Sequence, residues 1–170
     1  QLSQPEWHIA MCDVGQGDAS LVRSDGMIAL IDTGPEPDRL SACLESLGVT
    51  HLDLLVLTHY DLDHVGGAQA VVGMADRVLV GPSGGADDDL IVANLVAGGA
   101  SAERVSRGLT GMLGELRWQV LWPPARLAGI EPGNPASVTV EFDPVGECRG
   151  GCLSSIFLGD LGRDAQSRVL

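Results

Sequence analysis

The sequence predicts an α/β fold with two packed β-sheets. Short apolar or alternating segments of strand length recur along the chain, as in Met27 to Ile31 and Leu54 to Leu57. Segments with helical spacing of apolar residues lie between them. The chain has 170 residues, which is enough for one domain with a substantial core. Interleaved helices and many short strands favour sheets that pack against each other and against helices.

Composition and charge limit the functions that the chain can have. Apolar residues make up 45% of the sequence and aromatic residues only 4%, so the core must consist mainly of aliphatic side chains. No apolar run of about 18 residues predicts a membrane span, and the first residues lack a signal-peptide pattern. The first residue is Gln, which predicts an excised fragment. The formal charge of −13 argues against tight electrostatic binding of nucleic acid by this chain alone.

The four cysteines do not have zinc-finger spacing. Cys12 falls in a strand pattern and Cys43 in a helical one, so both are predicted to be small core residues. Cys148 and Cys152 flank the segment R-G-G. They form either a disulfide, if the domain is extracellular, or two free thiols.

The first predicted strand, Trp7 to Val14, ends in the segment D-V-G-Q-G-D-A, residues 13 to 19. Ala19 to Arg23 has strand character again, so the segment is predicted to be a hairpin loop and not a phosphate-binding loop, which needs a following helix. The loop either forms the rim of a functional site or is a solvated glycine-rich turn. The polar residues that would face the site are Asp13, Gln16 and Asp18.

A second hairpin turn is predicted at residues 24 to 26, S-D-G, before the strand Met27 to Ile31. This strand ends in I-D-T-G, where Asp32 either orients a neighbouring ligand loop or caps a turn. Asp38 is a predicted N-cap, and an amphipathic helix follows it and ends at Gly48.

The central segment, Leu54 to Gly67, reads L-L-V-L-T-H-Y-D-L-D-H-V-G-G. A buried strand is predicted up to Thr58, and four potential metal ligands follow within six residues: His59, Asp61, Asp63 and His64. Imidazole nitrogen and carboxylate oxygen both bind Zn, and carboxylates also suit Mn. A tight turn would direct His59 and Asp61 at one ion, with Asp63 and His64 facing a second. The alternative is an acidic surface loop with two incidental histidines.

The second half of the chain continues the alternation of helices and strands. A helix is predicted for Val65 to Met74, and Asp87 to Asp89 are interpreted as the charged first turn of another helix. Further predicted strands are Arg77 to Val80, Arg104 to Arg107, Leu116 to Leu121 and Leu153 to Leu158. Trp118 and Trp122 would either pack inside a sheet or stack on nucleobases. Asn134 and Ser137 precede a strand, and Gly159-Asp160 closes the last one.

Several of these segments resemble the metallo-β-lactamase-like domain of the ComEC family of competence proteins. H-Y-D-L-D-H is similar to the fold's H-x-H-x-D-H signature, with the Asp at the second ligand position that ComEC proteins carry. D-V-G-Q-G-D, the N-x-x-S-V element at Asn134 and Ser137, and the Gly-Asp at Asp160 agree with the same family. The resemblance implies a four-layer αββα sandwich, with two mixed sheets and helices on both outer faces.

The resemblance also implies a set of site residues. Two divalent ions, Zn or Mn, would be held by His59, Asp61, Asp63, His64 and Asp160, with Asp160 bridging them. Asp63 and His64 would be catalytic. The residues expected to support the ligands or face the substrate are Asp13, Gln16, Asp18, Asp32 and Asn134.

The implied function is that of a metal-dependent DNA phosphodiesterase. The family resemblance implies degradation of the single strand that is not imported, on the extracellular face of the cell membrane, next to a multi-pass channel domain of the same protein. Members of the ComEC family continue with a second histidine motif, S-H-H-G-S, but none of the four histidines in this sequence follows Asp160. We therefore expect residues 1–170 to be one domain that is incomplete at its C-terminus, with weakly bound or absent metal.

Two other functions fit the sequence. The chain could be a metallo-β-lactamase-fold hydrolase of a small ester, thioester or lactam, which the acidic composition favours and the D-V-G-Q-G-D segment disfavours. It could also be a non-catalytic module that has kept the fold and lost the metals.

Overall fold

The computed structural model describes residues 6–149 and 151–169, and these form ten strands in two sheets together with short and medium helices. The predicted α/β class with two packed sheets is confirmed. The helices are α1 (Pro37–Ser46), α2 (Leu62–Val65), α3 (Ala86–Ala97) and α4 (Arg163–Gln166).

Sheet 1 has six strands that lie side by side in chain order. They are β1 (Ile9–Met11), β2 (Ser20–Ser24), β3 (Met27–Ile31), β4 (Leu52–Leu57), β5 (Ala75–Val80) and β6 (Ser101–Arg104). The first three strands pair antiparallel, and β3 to β6 pair parallel, so sheet 1 is mixed as predicted. Because β3 and β4 are parallel neighbours, the loops that follow them meet at the same edge of the sheet.

Sheet 2 has four strands in the order β10, β9, β8, β7. They are β7 (Thr110–Leu113), β8 (Leu116–Trp122), β9 (Thr139–Pro144) and β10 (Ser155–Phe157). All three pairings are antiparallel, so the prediction that this sheet is mixed was wrong. Strands joined without an intervening crossover helix pair antiparallel, and β7 to β8 is a two-residue hairpin.

Two buried clusters hold these layers together. The helices α1 and α3 pack through Leu40, Leu44 and Leu95 on one face of sheet 1. The opposite face of sheet 1 packs on sheet 2, where Trp118 and Phe142 are almost fully buried. Trp122 is also buried, so neither tryptophan of β8 is available to stack on a nucleobase.

Several predicted elements differ in their bounds. Asp38, the predicted N-cap, lies inside α1, because this helix already begins at Pro37 and its N-cap is Glu36. The helix predicted for Val65 to Met74 is instead the four-residue α2 followed by a 3₁₀ segment, Gly66–Val71. The 3₁₀ segment begins with Gly66 and Gly67, which pack directly on the chain segment 33 to 35: a Cβ at either position would lie 2.1 or 2.2 Å from a backbone carbonyl there. The first strand is shorter than predicted, and β6 precedes the predicted Arg104 to Arg107. The aspartates 87 to 89 do form the first turn of α3.

The cysteines form two disulfides. Cys148 pairs with Cys152, which was one of the two alternatives. Cys12 and Cys43 belong to the core as predicted, and they also form a disulfide with each other, which was not predicted. This bond joins the loop after β1 to α1, two segments that are 31 residues apart in the chain.

The outer surface of sheet 2 is less covered than that of sheet 1. Met112 and Ile156 are exposed there, and within the described ranges only the four-residue α4 follows the strands of sheet 2. Three layers of the predicted sandwich are therefore formed by α1 and α3, sheet 1 and sheet 2. None of the described helices is long and apolar enough to cross a membrane.

Candidate metal centre

Three loops meet at the carboxyl ends of β3 and β4, and glycines let them approach backbone to backbone. A Cβ on Gly17 would lie 1.8 Å from the Asp63 carbonyl oxygen, so only glycine fits there. Gly34 N donates to the Asp18 carbonyl at 2.8 Å, and Thr33 N donates to the His64 carbonyl at 2.8 Å. The D-V-G-Q-G-D loop, residues 13 to 18, thus packs directly on the loop that carries the candidate ligands.

Asp32 is a buried carboxylate that hydrogen-bonds to the segment carrying the candidate ligands. Its carboxylate is fully buried and accepts three hydrogen bonds: from Thr58 N at 2.8 Å, from Thr58 Oγ1 at 2.6 Å and from His64 Nδ1 at 2.8 Å. Its backbone has φ +59°, a left-handed conformation that Asp tolerates better than most residues. Asp32 therefore contacts both Thr58 and His64, which is the placement that the predicted orienting role requires.

The Thr58 hydroxyl sets the tautomer of His59. Thr58 Oγ1 donates its one proton to Asp32, so toward His59 Nδ1, 3.0 Å away, it can only accept. Ser137 Oγ lies 3.4 Å from the same nitrogen. His59 Nδ1 therefore carries the proton, which leaves the lone pair on Nε2.

His64 has the same tautomer, with the proton on Nδ1, but its partner is a carboxylate and not a hydroxyl. In the neutral imidazole, Nδ1 donates to the Asp32 carboxylate, and Nε2 keeps its lone pair. The two imidazole rings lie with their centroids 4.1 Å apart. Both histidines therefore present the nitrogen that can bind a metal, and a carboxylate or hydroxyl fixes the opposite side of each ring.

The two Nε2 atoms point to a common carboxylate. His64 Nε2 lies 3.4 Å from Asp160 Oδ1, and His59 Nε2 lies 4.0 Å from Asp160 Oδ2. One ligand atom from each of these three residues fits within 4.8 Å of the others. Asp61 Oδ2 lies 3.6 Å from His59 Nε2, and Asp63 Oδ1 lies 4.0 Å from His64 Nε2. The structure thus brings together all five residues predicted as metal ligands, although Asp160 is about a hundred residues from the others in the chain.

The remaining predicted site residues lie at different distances from this centre. Asp18 belongs to a group with Asp32 and His64 whose polar atoms fit within 4.8 Å. Asn134 lines the same cavity as Asp160. Asp13 and Gln16 are more peripheral. Gln16 is exposed in its loop, and among residues 6–149 and 151–169 the Asp13 carboxylate accepts only a 3.4 Å hydrogen bond from Gly15 N.

The protonation of the metal-free site follows from burial and from neighbouring charges. Burial lowers the pKa of His59, and the adjacent His64 lowers it further. Burial also disfavours the charged form of His64, but the hydrogen bond and charge of Asp32 outweigh it and raise the pKa of His64 to about 9. Burial raises the pKa of Asp32 against the opposing hydrogen bonds from His64 and Thr58. At neutral pH the Asp32–His64 pair therefore holds one proton more than it does with the neutral imidazole that binds a metal ion, and the metal ion would have to displace this proton.

The residues present fit a divalent metal ion. The Nε2 atom of His59 is buried and has no hydrogen-bond partner among the described residues, which is costly unless something else binds it. Two imidazoles with fixed tautomers and three carboxylates are the donor set of Zn or Mn sites. Sequence reasoning assigned no role to Thr58 or Ser137, because the hydroxyl contacts depend on side-chain directions that a sequence pattern does not give.

Comparison with known proteins agrees with this geometry. Residues 12–90 match the family model of the metallo-β-lactamase superfamily, a range that contains the D-V-G-Q-G-D loop, Asp32 and the ligand loop. A mutant metallo-β-lactamase from Cronobacter sakazakii superposes with a TM-score of 0.56 at 15% identity, over 79% of this chain and 56% of that one. The chain has the metallo-β-lactamase fold, which is the fold of a superfamily of metal-dependent hydrolases.

Curated relatives define the subgroup. The chain is 30% identical to ComE operon protein 3 of Bacillus subtilis over 97% of its own length, and it spans 23% of that protein. It is 44% identical to Competence protein ComA of Neisseria gonorrhoeae over 37% of its length, and it spans 10% of that protein. The chain is therefore a metallo-β-lactamase-like domain related to the ComEC-family competence proteins, and it corresponds to less than a quarter of the length of these relatives.

Proposed function

We propose that the chain is a metal-dependent phosphodiesterase domain that cleaves single-stranded DNA. The proposal depends on one observation: the Nε2 atoms of His59 and His64 converge on Asp160, and the Nε2 atom of His59 is buried without a partner. Asp61 and Asp63 add one carboxylate beside each histidine. In this proposal, these five residues hold two divalent ions, Zn or Mn.

Each residue of the site has a separate task in the proposed reaction. Bound divalent ions would supply an activated water and positive charge for the phosphoryl oxygens. Asp32 and Thr58 hold the two imidazoles in the tautomers that bind metal. The Asp63 side chain is 31% exposed and Asp160 is 41% exposed, so both face the solvent from which a substrate arrives. Asp63 and His64 are proposed as the residues at the reacting centre.

The cellular context is part of the proposal. The names of the relatives support a role in competence. In this proposal, the domain is attached to a membrane channel of the same protein and degrades the strand that is not imported, as the family resemblance implies. Two disulfides among four cysteines support an oxidising compartment, and therefore the extracellular face of the membrane.

The test compares two classes of substrate. The chain, supplied with Mn²⁺ or Zn²⁺, is assayed on single-stranded DNA and on generic esters, with Asp63→Ala as the inactive variant. His51→Ala is the matched control, because this exposed histidine also contacts an aspartate but lies at the opposite end of β4. We expect DNA cleavage that is lost in Asp63→Ala and kept in His51→Ala. Cleavage in Asp63→Ala, or no DNA cleavage by the parent chain at any concentration of Mn²⁺ or Zn²⁺, would contradict the proposal.

The acidic composition favours a second candidate. With a formal charge of −13, the chain repels a polyanion at long range, which suits a small ester, thioester or lactam better than DNA. The same assay separates the two, because ester cleavage without DNA cleavage would select this second function.

A further inference from the structure

A cavity of about 440 Å³ opens directly beside the candidate metal centre. Asp160 forms one wall, and Asn134 and Arg163 line it together with Asp164 at the start of α4. The cavity therefore connects a candidate metal ligand to a cationic side chain and an amide. Neither Asn134 nor Arg163 is needed to hold the five ligands.

Arg163 differs from the other exposed arginines of the chain in its position, because it lines the cavity that contains Asp160. The sequence has only ten of them against 23 acidic residues. Several arginines have partners inside the fold: Arg77 pairs with Glu103, and Arg107 donates to two backbone carbonyls. Arg163 is exposed and makes no ion pair with the described carboxylates. Its guanidinium is therefore available to an anion that enters the cavity.

Phosphate is the anion whose chemistry fits these groups. A guanidinium offers paired N–H donors that match phosphate oxygens, and the amide of Asn134 adds a neutral donor. Asp164 lines the same cavity and opposes a free anion, so a single weakly held phosphate would bind poorly there. A phosphate that is tethered to another one at the metal centre does not depend on its own free affinity, because the first contact raises its local concentration.

We propose that this cavity is a subsite for a non-scissile phosphate of the DNA strand, bound by Arg163 with help from Asn134. The proposal rests on the proposed phosphodiesterase function and deepens it. With this subsite, a chain with a net charge of −13 would bind a strand with several phosphates more tightly than an isolated phosphodiester. In this proposal Arg163 holds the strand in position and takes no part in breaking the bond, because it contacts a phosphate next to the reacting one.

The experiment compares Arg163→Gln with the parent chain on two substrates in Mn²⁺. One is a single-stranded oligodeoxynucleotide, and the other is bis(p-nitrophenyl) phosphate, which has one phosphodiester and no neighbouring phosphate. Arg163→Gln should raise KM for the oligonucleotide about tenfold and leave kcat within about twofold, because one charge-assisted contact is lost. Both constants for the small diester should stay unchanged. Arg163→Lys should restore part of the lost affinity, since it keeps the charge and loses the paired donors.

Binding provides a readout that does not require turnover. Fluorescence anisotropy with a phosphorothioate oligonucleotide, which resists cleavage, gives the affinity as a function of salt. Loss of one phosphate contact should reduce the slope of log K against log salt by about 0.7. Arg117→Gln is the matched control, because Arg117 is another exposed arginine but lies at the opposite end of β8 from Trp122, whose indole contacts Pro135 of the cavity wall. It should leave KM and the slope unchanged.

The outcomes separate this inference from the proposed function. If the parent chain cleaves DNA and Arg163→Gln keeps the parent KM and salt slope, the subsite is wrong and the phosphodiesterase survives. If Arg163→Gln loses kcat on both substrates, Arg163 acts at the reacting centre, and the separate subsite is again wrong. If the parent chain cleaves neither substrate and its oligonucleotide binding does not depend on Arg163, both proposals fail.

Discussion

Replacing Asp32 with Asn tests whether the buried carboxylate prepares the histidines for metal. Asn has nearly the same shape as Asp, but an NH₂ group replaces one of the two carboxylate oxygens. Asp32 Oδ1 accepts from Thr58 N, and Oδ2 accepts from Thr58 Oγ1 and His64 Nδ1. The amide oxygen can keep the first of these contacts. The NH₂ group then faces two donors, so the Thr58 hydroxyl must rotate and His64 must change tautomer.

The size of the effect follows from that change. When His64 Nδ1 accepts from the amide, the proton moves to Nε2, the atom that lies 3.4 Å from Asp160. Nε2 can then no longer bind a metal ion. Loss of such a supporting carboxylate typically lowers metal affinity about 10- to 100-fold, which corresponds to about 1.4 to 2.7 kcal/mol. The fold should also lose about 1 to 3 kcal/mol of stability, because buried donors lose an ionic acceptor.

The assay is calorimetric titration of Zn²⁺ or Mn²⁺ into the metal-free chain, together with urea unfolding. Asp76→Asn is the matched control, because Asp76 also contacts a histidine, His51 at 3.1 Å, but both side chains are exposed and far from the candidate site. Metal affinity should fall in Asp32→Asn and stay unchanged in Asp76→Asn. Unchanged affinity in Asp32→Asn would refute the claim that this carboxylate sets the histidine tautomers.

Three further predictions test the loops, the disulfide and the buried pair. Gly17→Ala should lower the free energy of unfolding by about 2 to 3 kcal/mol and weaken metal binding, because the new Cβ overlaps the Asp63 carbonyl. Gly26→Ala, also at positive φ but with open space around it, should lower it by only about 1 kcal/mol and leave metal binding intact. Equal losses in urea unfolding would contradict the direct packing of the residue 13 to 18 loop on Asp63. Replacing Cys12 and Cys43 together with Ser should lower the unfolding free energy by up to about 3.7 kcal/mol, the chain-entropy value for a 31-residue separation, and an unchanged midpoint in reductant-free urea would show that the bond does not form. In the metal-free chain, the pKa of His64 is raised from 6.5 to about 9, so the folded state binds a proton on His64 more tightly than the unfolded state does. This contributes up to about 3 kcal/mol of stability, which should be complete below pH 6.5 and be lost as the pH rises through 9. An unfolding free energy that rises over this window would contradict the raised pKa of His64.

The parts of the site that follow from short-range sequence could be predicted. The four ligands after β4 lie within six residues of the chain, and the two glycines that follow them indicate a tight approach of backbones. Asp32 could be proposed as a ligand-orienting carboxylate because it ends a strand and matches a position of the family pattern. The structure adds that this strand is parallel to β4, so the two strand ends meet at one edge of the sheet. The family pattern also indicated Asp160, which the structure places next to both histidines.

The remaining features depend on tertiary placement. The Cys12–Cys43 bond requires knowledge of how α1 packs on the first hairpin, which no spacing rule supplies. In place of the helix predicted after His64 there is a 3₁₀ segment that begins with Gly66 and Gly67, which pack against neighbouring carbonyls. The hydroxyl of Thr58 could be placed only once both Asp32 and His59 were in position.

The central claim is that His59, His64 and Asp160 form a divalent metal site together with Asp61 and Asp63. Anomalous diffraction at the zinc absorption edge, from crystals of this chain grown with Zn²⁺, locates bound ions directly. We predict an anomalous peak within bonding distance of the Nε2 atoms of His59 and His64 and a carboxylate oxygen of Asp160. A map without a peak at that position, or with ions bound only elsewhere on the surface, would contradict it.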